Sequence, residues 1–260
     1  MNWLAFDTST DVLSVAVSRD GECWSHDSPG GAQASTDGLP TVLRLMQEAQ
    51  LNWSDVQAIV MGRGPGAFTG LRTACAMAQG LAWGAGLQVL PIDTLMAVAE
   101  TAYHAHPEQA GIARQWVVMD ARMSQVYVAA YERVAVGDEQ AAWRCVQAPS
   151  LCAPGELVPP VAWAGQAFCV AGNARSVYAD VWPSETVGVT TLHMLPSAQA
   201  LIRLAPHAWA QGEAVAPEDA LPLYVRDKVA QTTEERMALR TVTQQLQQRA
   251  PGDATSKSEV

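Results

Sequence analysis

Apolar and polar positions change period along the chain, and the changes mark out elements. Leu4 to Asp7 is a short apolar run that ends on an aspartate, and Val12 to Ser18 alternates. The turn "RDGE" follows, and Cys23 to Ser25 makes a third short strand, so the chain opens with three antiparallel strands. Leu39, Val42, Leu43, Met46 and Ala49 then fall at helical spacing, with Pro40 near the first turn. Val56 to Met61 reads as a short buried strand, and a helix is predicted from about Thr69. A strand from Gln88 to Ile92 and a helix from Thr94 to about His104 complete the series.

This order of three strands, helix, strand, helix, strand, helix is that of a ribonuclease H-like lobe. The second half begins in the same way, since "WVVMDARMSQVYVAAY" repeats the plan of "WLAFDTSTDVLSVAVS" and places Asp120 where the first half has Asp7. A repeat of roughly one hundred residues is too long for a solenoid and implies a duplicated lobe. The fold class expected is therefore α/β, with two ribonuclease H-like lobes facing each other in the actin/Hsp70/sugar-kinase (ASKHA) architecture. Residues 1–108 form the first lobe and 109–232 a smaller second one, leaving 233–260 as a C-terminal helix and disordered tail. Ala148 to Pro160 is proline-rich and reads as loop; a strand through Phe168 to Ala171, the turn "GNA" and a helix at 197–211 follow. The last helix is a candidate to pack back on the first lobe, because Ala200, Leu201, Leu204, Ala208 and Trp209 share a face. Beyond it, Thr232-x-x-Glu235 forms a capping box ahead of a thin stripe of Leu239, Val242 and Leu246.

Composition narrows the function. With 49% hydrophobic and 16% charged residues the chain is globular, and a net charge of -10 offers no basic field for nucleic acid. Five cysteines without a C-x-x-C pair suggest neither a disulfide framework nor a zinc knuckle. The N-terminus has no basic region ahead of its apolar run, so the expected location is cytoplasmic. Thr73 to Ile92 carries no charge, yet Gly80, Gly84, Gly86 and Pro91 divide it into helix, turn and strand, which argues against a membrane span.

Candidate chemistry gathers at two turns. Asp7 in "DTST" reads either as an Asx-turn at a strand end or as a contact to phosphate or metal-bound water. The stretch "MGRGPGAFTG" at 61–70 holds four glycines and a proline, but lacks the Gly-Lys-Ser/Thr of a Walker A loop and the spacing of a dinucleotide fingerprint. Its Pro65-Gly66 pair suits a type II turn, and Thr69 suits a helix N-cap whose free N–H groups would hold an anion or simply end a turn. His104 and His106 have no acidic or cysteine partner nearby in sequence, and no G-x-S-x-G is present. No metal site and no catalytic residue are expected. The paired aspartates Asp7 and Asp120 leave one enzymatic alternative, an actin-like small-molecule kinase or nucleotide hydrolase.

"LAFDTSTDVLSVAV", "GRGPGAFTGLR", "AQGLA", "MDARMSQVY", "VAGNA" and "LYVRDKVAQTTEER" occur in the order typical of the TsaB (YeaZ) family and span residues 3 to about 236. The resemblance implies a noncatalytic subunit in the synthesis of N6-threonylcarbamoyladenosine in transfer RNA. It would pair with a catalytic TsaD-type subunit, be serviced by a TsaE-type ATPase and meet tRNA only through the complex; the apolar helix from Thr69 would also permit a homodimer of the free chain, and the sequence leaves that open. A vestigial nucleotide cleft would comprise Asp7, Thr8, Ser9, Thr10, Gly64, Gly66, Asp120, Gly172 and Asn173. The chain would have no cofactor of its own, with ATP or ADP at the interface of the complex. It departs from the family at Ala67, where serine is usual, and at Asn173, where aspartate is frequent. The catalytic relative carries a metal-binding H-x-x-x-H after the strand that here ends at Ile92, and "DTLMAVAETA" has no such pair.

The helix from Thr69 to Gly84 is apolar nearly all round and so must be covered on more than one side. Leu71, Ala74, Cys75, Ala78, Leu81 and Ala82 suit the sheet, while its other faces and the preceding helix supply the expected partner contacts: Leu39, Val42, Leu43, Met46, Arg72, Ala76, Gln79, Gly80 and Trp83. Cover by the Leu39 to Gln50 helix and the second lobe is the alternative that the sequence leaves open.

Overall fold

The computed structural model describes residues 1–106, 113–136, 140–183, 186 and 189–226; the expected C-terminal helix, its capping box and the tail lie outside them. Residues Met1–Val225 form one compact unit, and of the second, Arg226–Val260, only Arg226 is among the described residues.

Within the first unit lie two five-stranded sheets. In the first, β1 (Trp3–Asp7), β2 (Val12–Arg19) and β3 (Glu22–Pro29) are antiparallel, and β4 (Ala58–Gly62) and β5 (Val89–Ile92) extend it in parallel, in the order β3-β2-β1-β4-β5. In the second, β6 (Arg114–Asp120), β7 (Val126–Val136) and β8 (Gln140–Cys152) are antiparallel, and β9 (Cys169–Ala171) and β10 (Thr191–Leu192) extend it in parallel. Read from β8 to β10, the order is β8-β7-β6-β9-β10, the same plan as the first. This duplicated pairing is the actin-like two-lobe fold.

Strand alternation sets which helix covers which face. Leu4, Phe6, Leu13, Val15 and Val17 point to one side of the first sheet, against α1 (Ala34–Glu48) and α2 (Phe68–Ala85). Trp3, Ala5, Ala16, Ala58 and Val60 point to the other, against α5 (Ala198–Ala210), and the small alanines let that helix approach closely. The α5 start is fixed twice: Ala200 N–H donates to the Ser197 hydroxyl, and Ala198 N–H to that of Ser14. Between β5 and β6, α3 (Thr94–Ala105) lays Leu95, Val98, Ala99 and Ala102 against Val117, Met119, Tyr127 and Tyr131, so it joins the two sheets. The opposite face of the second sheet is closed by Leu157, Trp163 and Ala174, the last on the single-turn α4 (Ala174–Val177).

Three local expectations are corrected. Pro40 is not in a first turn: α1 begins at Ala34, and buried Gly38 brings it against Met77 of α2, where a Cβ would collide with the sulfur. Ala148 to Cys152 is strand rather than loop, because β8 runs through Pro149 beside β7 with register shifts that break the alternation. The type II turn at Pro65-Gly66 is absent; the left-handed residue is Gly64, φ +109°, where a Cβ would collide with Leu71 and the Leu223 carbonyl.

Candidate functional site

The strand-turn-strand loops of the two lobes meet around a cavity of about 120 Å³, lined by Ser9, Thr10, Gly66, Asp120, Arg122 and Asn173 among others. Five of the residues expected in a nucleotide cleft are thus brought together. The other four are not. Asp7 is 1% exposed and turned inward, its Oδ1 accepting from the Ser9 N–H (2.8 Å) and Ser9 hydroxyl (2.6 Å) and its Oδ2 from the Thr94 hydroxyl (3.1 Å). Burial raises its carboxyl above the usual range, and the bonds from Ser9 and Thr94 oppose that rise without cancelling it. Thr8 donates its hydroxyl to the Gly70 carbonyl at 2.7 Å, Gly64 packs on Leu71, and Gly172 lies over the Val118 carbonyl. The "DTST" aspartate is therefore an Asx-turn, and the two matching aspartates do not both open on the cleft.

Asp120 does face it, with its partners already in place. Its Oδ1 accepts from the Arg122 N–H (2.8 Å) and the Tyr178 hydroxyl (2.7 Å), and its own N–H donates to Asn173 Oδ1 (2.8 Å). Across the mouth, Arg122 Nη2 reaches both oxygens of Asp11 at 2.9 Å. The volume enclosed is well short of the ~300–1,000 Å³ usual for ligand pockets. The anion-ready helix end is changed too: the α2 N-cap is Ala67, without a side-chain acceptor, Thr69 lies inside the helix, and the Ala67 N–H is taken by the Ser9 carbonyl at 2.7 Å.

The helix faces divide the expected partner contacts. Leu39 (44% exposed) and Leu43 (48%) stand out from α1, one turn apart, and Trp83 (66%) stands out from α2 with Ala76 and Gly80 exposed beside it. Val42 and Met46 are corrected: both are buried under the sheet, because an i, i+3, i+4 pattern on a helix covering a sheet points mostly inward. Arg72 and Gln79 are engaged by a segment with no periodic signal in the sequence, the strap from Pro217 to Tyr224. Ala220 O accepts from Cys75 Sγ (2.8 Å) and Gln79 Nε2 (3.3 Å), while Arg72 lies 3.8 Å over the Phe68 ring and donates to the Tyr224 hydroxyl. Between the start of α1 and the first half of α2 a groove of about 560 Å³ remains, floored by Phe68, Arg72, Ala76 and Met77. Neither the α1 helix nor the second lobe covers Trp83.

His104 is not isolated as its sequence context suggests, since its Nε2 lies 2.9 Å from Glu100 Oε1 one turn earlier. No group of three His, Cys, Asp or Glu is placed to hold a metal among the described residues, and no helix there is long and apolar enough to cross a membrane.

Two matching lobes with strand-turn loops opposed across a cleft define an actin-like ASKHA protein. The family model described as TsaD, tRNA N6-adenosine threonylcarbamoyltransferase, matches residues 32–234. The tRNA threonylcarbamoyladenosine biosynthesis protein TsaB of Escherichia coli K12 is 31% identical over 88% of this chain and 96% of its own length. The Haemophilus influenzae protein of that name is 31% identical over 87% and 94%. YeaZ from Pseudomonas aeruginosa superposes with a TM-score of 0.75 at 35% identity, covering 86% of this chain and 99% of that one. The chain belongs to the TsaB (YeaZ) family.

Proposed function

We propose that this chain is a noncatalytic subunit that dimerises with and activates the catalytic threonylcarbamoyltransferase subunit, for N6-threonylcarbamoyladenosine at position 37 of tRNAs reading ANN codons. The observation that carries the reading is the uncovered apolar face of α1 and α2, where Trp83 is 66% exposed on a helix whose opposite side is core. A tryptophan left in water beside small residues is the composition of an interface anchor. A net charge of -10 supports tRNA contact through the complex rather than by this chain. The small, internally bonded cleft supports placing ATP or ADP at the joint with the catalytic subunit and assigning the chain no cofactor of its own. The complex would work in the cytoplasm with a TsaE-type ATPase, and a homodimer would use the same face when the catalytic partner is absent.

Co-purification with the catalytic homologue of the same genome, followed by a transfer assay on tRNA, tests the reading. The expected result is a stable heterodimer, no transfer by this chain alone, and transfer when both are present. Transfer by this chain alone, or no association, would overturn it.

A further inference from the structure

A second cavity, of about 600 Å³, is walled by Arg63, Met96, Trp143, Cys145, Arg203 and Leu204 among others, from β5, α3, β8 and α5 and the loops beside them. Its size lies within the ~300–1,000 Å³ of small-molecule pockets. Two of its cations are committed: Arg133 Nη1 and Arg203 Nε each donate to buried Glu100 at 3.0 Å. Its buried aspartate is committed as well, because Asp93 accepts from the Leu95 N–H (2.8 Å) and the Tyr131 hydroxyl (2.7 Å).

Arg63 differs from all of these. Its backbone is fixed on both sides, the N–H donating to the Ile92 carbonyl at 2.8 Å and the carbonyl accepting from the Leu223 N–H at 2.7 Å. Its Nε is buried without an acceptor, and although its charge opposes the burial that raises the pKa of nearby Asp93, no hydrogen bond or ion pair joins the two. In a chain with 26 acidic and 16 basic residues, an arginine Nε left without an acceptor does not reflect a shortage of carboxylates. A buried donor without an acceptor is destabilising, and such a group in a native protein calls for an acceptor from outside. The guanidinium fork matches planar or tetrahedral oxyanions with two parallel bonds, and Trp143, Met96 and Leu204 offer an apolar wall.

We propose that this cavity binds a small organic oxyanion, a carboxylate or a phosphate monoester with a compact apolar body, seated on Arg63 against Trp143, Met96 and Leu204. The site is separate from the α1 and α2 face and does not rest on the heterodimer reading. Because its walls come from elements on both sheets, the ligand would brace the two lobes against each other.

The test uses the full chain with benzoate and phenyl phosphate as probes and benzamide as the neutral control, by isothermal titration and thermal melting. The expected result is saturable binding of at least one anion with Kd on the order of 1 mM, a raised Tm, and no binding of benzamide. Bound anion should also slow alkylation of Cys145, read by mass spectrometry of its peptide. Arg63→Gln should weaken binding about tenfold or more, with Arg63→Lys keeping part of it as a charge without the fork. If Arg63→Gln fails to fold, Arg63→Lys and Cys145→Trp, which fills the cavity from an exposed position, decide the matter by weakened binding. Binding of benzoate alone assigns a carboxylate ligand, of phenyl phosphate alone a phosphate ester, and of both the shared oxyanion chemistry. No saturable binding of either, or binding that these variants leave unchanged, would overturn the proposal.

Discussion

Trp143 Nε1 donates to Glu100 Oε2 at 2.7 Å, tying β8 of the second sheet to α3. The same carboxylate accepts from Arg133 of β7, Arg203 of α5 and His104 of its own helix, so one side chain that is 3% exposed gathers donors from four elements. A carboxylate this deep is tolerated because its lone pairs are filled by charged and neutral donors. Once it is removed, the arginines are stranded.

Glu100→Ala is therefore expected to cost ~3–5 kcal/mol of stability, the range for breaking a buried ion pair from one side. Trp143→Phe removes one donor to a charged acceptor and should cost about 1–3 kcal/mol. Urea unfolding of both variants checks this. A loss below about 1 kcal/mol for Glu100→Ala would show that the cluster relaxes into solvent.

Asp7 yields a pH dependence with a definite sign. Its carboxyl is raised by burial, so between the ordinary value of 3.8 and the raised one the native state holds a proton that the unfolded chain has lost. The stability Asp7 contributes is fully present below that window and falls as pH rises through the folded value. Asp7→Asn cannot titrate. The stability of Asp7→Asn minus that of the natural chain should therefore become more positive as pH rises through the window, then level off. Denaturant unfolding at several pH values from acid to neutral measures the difference; a constant difference would show that the bonds from Ser9 and Thr94 cancel burial, and a falling one that they outweigh it.

The first sheet and its helices are legible in the sequence because each has one period and one covered face. Leu4 and Phe6 alternate with Trp3 and Ala5, and Ala74, Ala78 and Ala82 recur at helical spacing. β8 escapes because Pro149 and the register shifts opposite Val128 to Tyr131 spoil its alternation. The cleft is half legible: "DTST" marks a turn, but which way Asp7 points depends on Thr94, 87 residues away. The Ala220 and Tyr224 strap and the Glu100 cluster have no periodic signal, since both are made by contacts distant in sequence. Val42 and Leu43 are adjacent and equally apolar, and only the position of the sheet decides that one is buried and the other 48% exposed.

Gly70 ties the glycine-rich turn to the first strand loop. A Cβ there would run into the Thr8 carbonyl, whose residue also donates its hydroxyl to Gly70 O. Gly70→Ala must push α2 from the loop or break that bond, at a cost of about 1–3 kcal/mol. A melting curve unchanged from that of the natural chain would show that the turn has slack.

Gly80 gives the opposite expectation, and it is the sharpest test of where the partner binds. No atom lies within 4 Å of a Cβ built on Gly80, and the residue is exposed on the same side of α2 as Ala76 and Trp83. Arginine at this position is a better helix former than glycine by roughly 0.5–1 kcal/mol, so Gly80→Arg should leave the isolated chain as stable as before or slightly more so. In the heterodimer the same side chain would be pressed into a joint that small residues keep close. An unpaired charge buried in this way costs ~3–5 kcal/mol, which weakens association by about two to nearly four orders of magnitude. Melting of the isolated chain, titration against the catalytic subunit and transfer by the reconstituted pair separate the possibilities. Intact folding with lost binding and lost transfer places the interface on this face. An unfolded variant would make Gly80 part of the core, and a variant that still binds and activates would put the interface elsewhere, leaving Trp83 exposed for another reason.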